Sequence, residues 1–288
     1  MTTEIPILVS TAWLADHLTD PDLRIVDIRG HVLPATEPFP HYFNHHADYL
    51  KTHIPGAVFV DWVHAITDPA DPRHAQIAKP ERFAEAMGCL GISENTYVVA
   101  YDDAGGMFAA RLWWALNYYG HPRVSVLDGG WTAWMAEGRP VTADSPAMTP
   151  SVFSPTPTPH WYRDGAAVLA RLGGEARLVD MRTIAEFQGS ASRAARKGHI
   201  PGAVNQPRAD LVQPDGRLRP AEDIRQKFAA LGVSEASPEV IFYCNGGTSA
   251  SFGLMALKAA GIKTAAAIYD GSWKDWGNDP TKPIEGLE

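Results

Sequence analysis

The chain has 288 residues, 45% apolar and 20% charged, a globular composition with room for two domains of ordinary size. A net charge of −8 argues against broad binding to nucleic acid or anionic membranes, and no run approaches the ~18 apolar residues of a membrane span. The only two cysteines, Cys89 and Cys244, lie in different halves, which excludes a disulfide scaffold and a zinc ribbon. The opening Met-Thr-Thr-Glu-Ile-Pro-Ile-Leu shows no basic-then-apolar leader, so a reducing cytoplasm is the expected compartment.

In chain order, the first half carries Leu23-Arg-Ile-Val-Asp27-Ile-Arg29, then His53-Ile-Pro-Gly-Ala57. Ala86-Met-Gly-Cys-Leu90 follows, where Cys89 is expected in core packing. Next come Tyr101-Asp102 with a Gly105-Gly106 pair, and Val126-Leu-Asp-Gly-Gly-Trp131 with Trp134. Residues 143–159, dominated by Pro and Thr, read as an extended, semi-rigid linker. The same punctuation then returns. Ala176-Arg-Leu-Val-Asp180-Met-Arg182, His199-Ile-Pro-Gly-Ala203, Leu231-Gly-Val233 (against Leu90-Gly-Ile92) and Ile268-Tyr-Asp-Gly-Ser-Trp273 with Trp276 repeat the first half. The offset between counterparts shrinks and then levels off. The first copy therefore carries extra residues before and just after its His-Ile-Pro-Gly-Ala. Two long copies mean two domains, 1–142 and 160–288, and not a solenoid of short repeats.

Within the second copy, Leu178-Val-Asp-Met181 predicts a strand. Residues 220–231 predict a helix with Ile224, Phe228 and Leu231 on one face and acidic residues in its first turn. Residues 239–243 predict a buried strand, 250–260 a helix and 264–269 another strand. Strands alternating with helices imply an α/β fold, each domain a mainly parallel sheet flanked by helices. Ligands of such sheets bind beyond the carboxyl ends of the strands.

Cys244 stands at one such end. Asn245, Gly246, Gly247, Thr248 and Ser249 follow as a tight loop, and Ala250 enters the helix. That order aims backbone N–H groups and the positive end of a helix dipole at one sulfur, which favours the nucleophilic thiolate. Gly246 and Gly247 allow the positive φ that a loop curled around an atom needs. Thr248 and Ser249 are expected to cap the helix. The chemistry expected of such a residue is sulfur chemistry at a nucleophilic thiolate.

Together with Glu186-Phe-Gln-Gly189, the extended motif Gly198-His-Ile-Pro-Gly-Ala-Val-Asn205 and the stretch 101–116, these motifs resemble, in order and over the whole chain, the two-domain rhodanese-type sulfurtransferases. The resemblance implies two tandem rhodanese-like domains, a catalytically silent first domain and Cys244 as the nucleophile. It implies no cofactor and no metal. Partners would be a small-molecule sulfur donor and an acceptor, with a thiol or thioredoxin-like acceptor among the candidates, and neither nucleic acid nor membrane. Asp102 stands at the cysteine's place in the first copy, and a carboxylate cannot hold a transferable sulfur.

The donor stays open at this stage. A neutral loop resembles the mercaptopyruvate-type enzymes, but Gly246 stands where they carry a serine. The relay of that type, to which Asp61 and His74 of the first domain would contribute, is then incomplete. Many members carry a donor-binding Arg at the place of Glu186. A Glu there resembles bacterial thiosulfate-type members, and Glu186 is expected to pair with Arg182. Thiosulfate is the expected donor and 3-mercaptopyruvate the alternative. Among the cations, Arg196 and then Arg182 are the expected anion-binding groups. Asp180 has two readings: it accepts hydrogen bonds from the Cys244 loop, or it ends its strand. Phe108 either walls the site from the first domain or packs in its core.

Three further readings are set aside. A cysteine phosphatase on this fold needs Cys-x5-Arg, and the sixth residue after Cys244 is Ala250. His41, His45 and His46 read as a solvated loop and not a metal site, while His53 and His199 recur in both copies and read as turn-stabilising. A non-catalytic persulfide sensor or binding module would not require the glycine cradle.

Overall fold

Short runs that are apolar at every position leave no polar face, so they become strands covered on both sides by helices. The computed structural model describes residues 5–38, 40–73 and 76–286. The first domain contains strands β1 (Leu8–Val9), β2 (Leu23–Asp27), β3 (Gly30–Val32), β4 (Tyr42–Asn44), β5 (Val58–Phe59), β6 (Tyr97–Tyr101) and β7 (Val124–Leu127). Its helices are α1 (Thr11–Asp16), α2 (His46–Tyr49), α3 (Pro80–Cys89), α4 (Met107–Tyr118) and α5 (Gly130–Ala136). The second contains β8 (Tyr162–Arg163), β9 (Arg177–Asp180), β10 (Val204–Asn205), β11 (Val240–Tyr243) and β12 (Ala266–Tyr269). Its helices are α6 (Gly165–Leu169), α7 (Ile184–Phe187), α8 (Ala221–Ala230), α9 (Thr248–Ala259) and α10 (Ser272–Trp276).

The main sheets run β1-β7-β6-β2-β5 and β8-β12-β11-β9-β10, with every neighbouring pair parallel. The order is the same strand for strand, so the repeat in the sequence is a repeat of fold. Cys244 follows β11, the central strand of the second sheet. Residues 143–158 form no helix or strand. They are strapped to the first domain, with Thr156 and Thr158 donating N–H to the carbonyls of Tyr119 and Tyr118 and Phe153 buried against Phe83.

The recurring motifs are recurring buried devices. Arg29 bonds Asp27, whose Oδ2 accepts from Tyr101 Oη at 2.6 Å, and Ile54 N donates to that phenol oxygen at 3.2 Å. Arg182, Asp180, Tyr243 and Ile200 N repeat the arrangement. His53 and His199 place Nδ1 on the carbonyls of Tyr49 and Phe187 at 2.7 and 2.8 Å, the turn-holding role expected of them.

Two local expectations fail. Residues 41–46 are not a solvated loop throughout: β4 pairs antiparallel with β3, and His45 Nδ1 bonds Asp103 Oδ2 at 2.6 Å. Cys89 is exposed, because the buried face of α3 is set by Phe83 and Met87, and residue 89 falls off it. The two domains meet along α4 and α9, and one apolar cluster runs through both, from Phe108 and Leu112 to Phe252 and Met255. Beside it the buried Arg111 donates to Asp270 Oδ1 at 2.6 Å across the interface. Among the described residues no helix is long and apolar enough to cross a membrane.

Candidate active site

The loop after β11 is short because α9 begins at Thr248, two residues before the expected start. Gly247 is the N-cap, at φ +83, so Thr248 and Ser249 lie in the first turn and do not cap it. The first intrahelical bond is Ser251 N to Gly247 O, which leaves the amides ahead of it without helical partners. Ser272 pins the loop from behind. Its Oγ accepts from Cys244 N at 3.0 Å and Gly247 N at 3.2 Å and donates to Tyr269 O at 2.7 Å. It is the one non-glycine with positive φ among the described residues, at +52°, a conformation that three hydrogen bonds hold in place. Trp273 N and Lys274 N then donate to the carbonyls of Cys244 and Asn245.

The first domain shows what such a loop does with an anion. Asp102 is buried at the end of β6, and Gly106, the N-cap of α4, has φ +84. The Asp102 carboxylate accepts from the amides of Ala104, Gly106, Phe108 and Ala109 at 2.7–2.9 Å. Burial pushes its pKa up, and the amide bonds oppose that. Helices α4 and α9 have the same length, and Cys244 follows its strand as Asp102 does, in a loop one residue shorter before the N-cap glycine.

Cys244 is 4% exposed and opens onto a cavity of about 440 Å³. Met181, Arg182, Glu186, Arg193 and Arg208 of the second domain line it, with Tyr42, Met107 and the turn after β3 of the first. Arg182 is held by Asp180 at 2.5 Å, and Arg193 faces Glu186 at 3.7 Å and donates to Leu33 O. Each nevertheless keeps a buried Nη1 with no hydrogen-bond partner among the described residues, as does Asn245 Oδ1. Buried polar atoms without a partner are rare in native proteins. Lys274, next to this wall, lies over the Tyr42 ring at 4.1 Å. Burial first, then Arg193, pulls its pKa down to about 7, while Cys244 opposes.

Several expected residues are placed elsewhere. Arg196 is spent on the carbonyls of Trp276, Gly277, Asp279 and Lys282 and does not line the cavity. Asp180 accepts from Arg182 and Tyr243, not from the Cys244 loop, whose acceptor is Ser272. Glu186 does not bond Arg182. It closes a capping box with Thr183 and accepts from Asn245 Nδ2 at 2.8 Å. Phe108 is fully buried against Trp62, and its neighbour Met107 walls the site instead, with Ser249 Oγ 3.5 Å from its sulfur. Asp61 caps its own turn through Val63 N and bonds Asn44 and His64, away from the cavity. His74 lies outside the described residues. Arg193, Arg208, Met107, Tyr42, Ser272 and Lys274 were not singled out as site residues. Of these, Arg193 stood among the remaining cations without a role, Met107 lay inside the stretch 101–116, and Ser272 inside the repeated Asp-Gly-x-Trp motif.

A parallel sheet built twice, with a cysteine beyond the central strand of the second copy, defines a class, and comparison with known proteins agrees. The rhodanese-like domain matches residues 10–137 and 165–279. The sulfur carrier protein TtuD of Thermus thermophilus is 33% identical over 294 residues, covering 96% of each chain. Thiosulfate sulfurtransferase of Bos taurus is 35% identical over 280 residues, covering 93% of this chain and 91% of its own. The crystal structure of SseA from Escherichia coli, a 3-mercaptopyruvate sulfotransferase, superimposes with a TM-score of 0.81 at 31% identity, covering 93% of this chain and 99% of that one. The chain belongs to the rhodanese family. Within it, the chain is a sulfurtransferase with two tandem rhodanese domains.

Proposed function

We propose that the protein moves a sulfane sulfur from thiosulfate to a nucleophilic acceptor, cyanide or a thiol, through a persulfide on Cys244. One observation carries the reading: a thiol stands at the strand end and helix start that in the first domain hold a buried carboxylate, on a cavity lined by three arginines. Oriented amides that suit a carboxylate also suit a persulfide anion.

In the first half-reaction the Cys244 thiolate attacks the outer sulfur of thiosulfate. A bond forms between Sγ and that sulfur, the donor's S–S bond breaks, and sulfite departs with the bonding pair. The summed charge is unchanged and no proton moves. In the second, the acceptor attacks the terminal sulfur. Thiocyanate or a new persulfide leaves, and the Cys244 thiolate is regenerated.

Thiosulfate is preferred because its leaving group needs no proton, and Asp61, a member of the expected proton relay, lies off the cavity. A second reading, 3-mercaptopyruvate, is favoured by the uncharged loop and by Thr248 and Ser249 on the cavity wall. Initial rates with each donor and cyanide, read as thiocyanate and as sulfite or pyruvate, separate the two. We expect the larger kcat/KM with thiosulfate. A rate at least ~10-fold higher with 3-mercaptopyruvate, about 1.4 kcal/mol in transition-state stabilisation, would reverse the assignment.

A further inference from the structure

We propose that Arg208 is the determinant of anion selectivity at the Cys244 cavity, supplying the positive charge that Glu186 offsets at Arg193. The inference rests on Cys244 being the reactive thiol of this cavity. Three arginines line the cavity, and their charges are not equivalent. Asp180 cancels that of Arg182 at 2.5 Å, and Glu186 offsets that of Arg193 at 3.7 Å. Those two donate hydrogen bonds but add little net field. Arg208 has no ion pair among the described residues. The nearest carboxylate acting on it is Asp102, whose oxygens are already held by four amides.

Its position is fixed without using its charge. Arg208 opens the 3-10 turn after β10, its backbone N donates to Met181 O, and Nη1 donates to Ala104 O of the silent loop at 3.0 Å. The guanidinium packs over the Phe252 ring at 5.5 Å. Burial lowers its pKa, and the charge of Asp102 opposes that without cancelling it. A guanidinium stays charged under such stress and, beside a cavity, is relieved by an incoming oxyanion. The ligand class is therefore a small anion whose reacting atom faces Cys244 and whose charge faces Arg208.

The test uses two alkylating reagents of one shape and different charge, so it needs no sulfur donor. Rates of Cys244 modification by iodoacetate and iodoacetamide are measured on the full chain in a Cys89→Ser background, because Cys89 is exposed, with Arg208 intact and as Arg208→Gln and Arg208→Lys. Arg208→Gln keeps an N–H for Ala104 O but no charge, and Arg208→Lys keeps the charge. We expect the iodoacetate rate to fall ~10-fold in Arg208→Gln with the iodoacetamide rate within ~2-fold of wild type, and Arg208→Lys to retain most of the preference. Equal changes with both reagents, or none, would overturn the assignment. Sulfur loading from thiosulfate is followed in parallel. If the wild type takes no sulfur yet the reagent ratio still collapses in Arg208→Gln, Arg208 stands and the thiosulfate reading falls. If the wild type loads normally and the ratio is unmoved, the reverse holds.

Discussion

Asp102 and Cys244 stand at the same strand end in the two domains, and under the proposed function the change from carboxylate to thiol is what makes the second domain the reactive one. Asp102 satisfies four buried amides, so Asp102→Ala leaves them without an acceptor. We expect a loss of about 3 kcal/mol and a melting point lower by roughly 10 °C, with kcat within about 3-fold of wild type, measured by calorimetry and steady-state kinetics. A collapse of kcat in folded protein would mean the first domain is not silent. Lys274 gives a pH signature. Its folded pKa of about 7 lies below the ordinary 10.5. Between those values the unfolded chain holds a proton the native one has shed, so native stability rises with pH across that window, and below pH 7 the buried charge carries its full penalty. Lys274→Met should therefore raise the melting point more at pH 6 than at pH 9. An equal effect at both would place the lysine outside this account.

At the scale of elements, the active loop is a strand end, one αL glycine and a helix start, all backed by Ser272. Ser272→Ala removes a hydroxyl that makes three hydrogen bonds and keeps the Cβ at φ +52. Ser272→Gly removes the same bonds and relieves the backbone. Both should slow turnover ~10-fold or more, since the loop amides lose their anchor, and the glycine variant should be the more stable. Near-wild-type rates in both would show that the loop holds its shape alone.

The strand–loop–helix at Cys244 is legible because it is local: a run such as Val240–Tyr243, apolar at every position, and Gly247 dictate it within a few residues, while Gly246, expected to need positive φ as well, does not adopt it. Glu186 was misread because its partner Asn245 lies 59 residues away. Arg193 and Arg208 were missed because they reach the cavity from an irregular stretch and a 3-10 turn, whose paths only tertiary packing determines. The β3–β4 ribbon was hidden by its His and Pro content, which reads as loop.

At the scale of the molecule, the first domain completes the wall of the Cys244 cavity. Met107, Tyr42 and the turn after β3 wall the cavity, and the Arg111–Asp270 pair ties α4 to the segment that carries Ser272. Asp270 also accepts from Ile77 N at 2.9 Å, and its carbonyl accepts from Gln76 Nε2 at 3.0 Å, so both ends of this residue face the first domain. A Cβ at Gly247 would meet Asp270 Oδ1 and Arg111 Nη1, which puts the pair directly against the cysteine loop. Asp270→Asn leaves Arg111 buried without its counter-charge and should cost about 3–5 kcal/mol, with a raised KM for the donor, in urea titrations and kinetics. Unchanged stability would mean the interface relaxes around the loss.

The duplicated strand order was foreshadowed by the recurring Asp-x-Arg and His-Ile-Pro-Gly-Ala motifs, because each is a buried device that the fold needs twice. The contribution of one domain to the other's cavity was not, since no local pattern encodes it.

The central claim is that Cys244 carries the sulfur. Intact-protein mass spectrometry after brief exposure to thiosulfate, then to cyanide, tests it on the wild type and Cys244→Ser. The account predicts a gain of one sulfur, about 32 Da, on the wild type, removed by cyanide, and none on Cys244→Ser. A gain that persists in Cys244→Ser, or no gain on the wild type with either thiosulfate or 3-mercaptopyruvate, would contradict it.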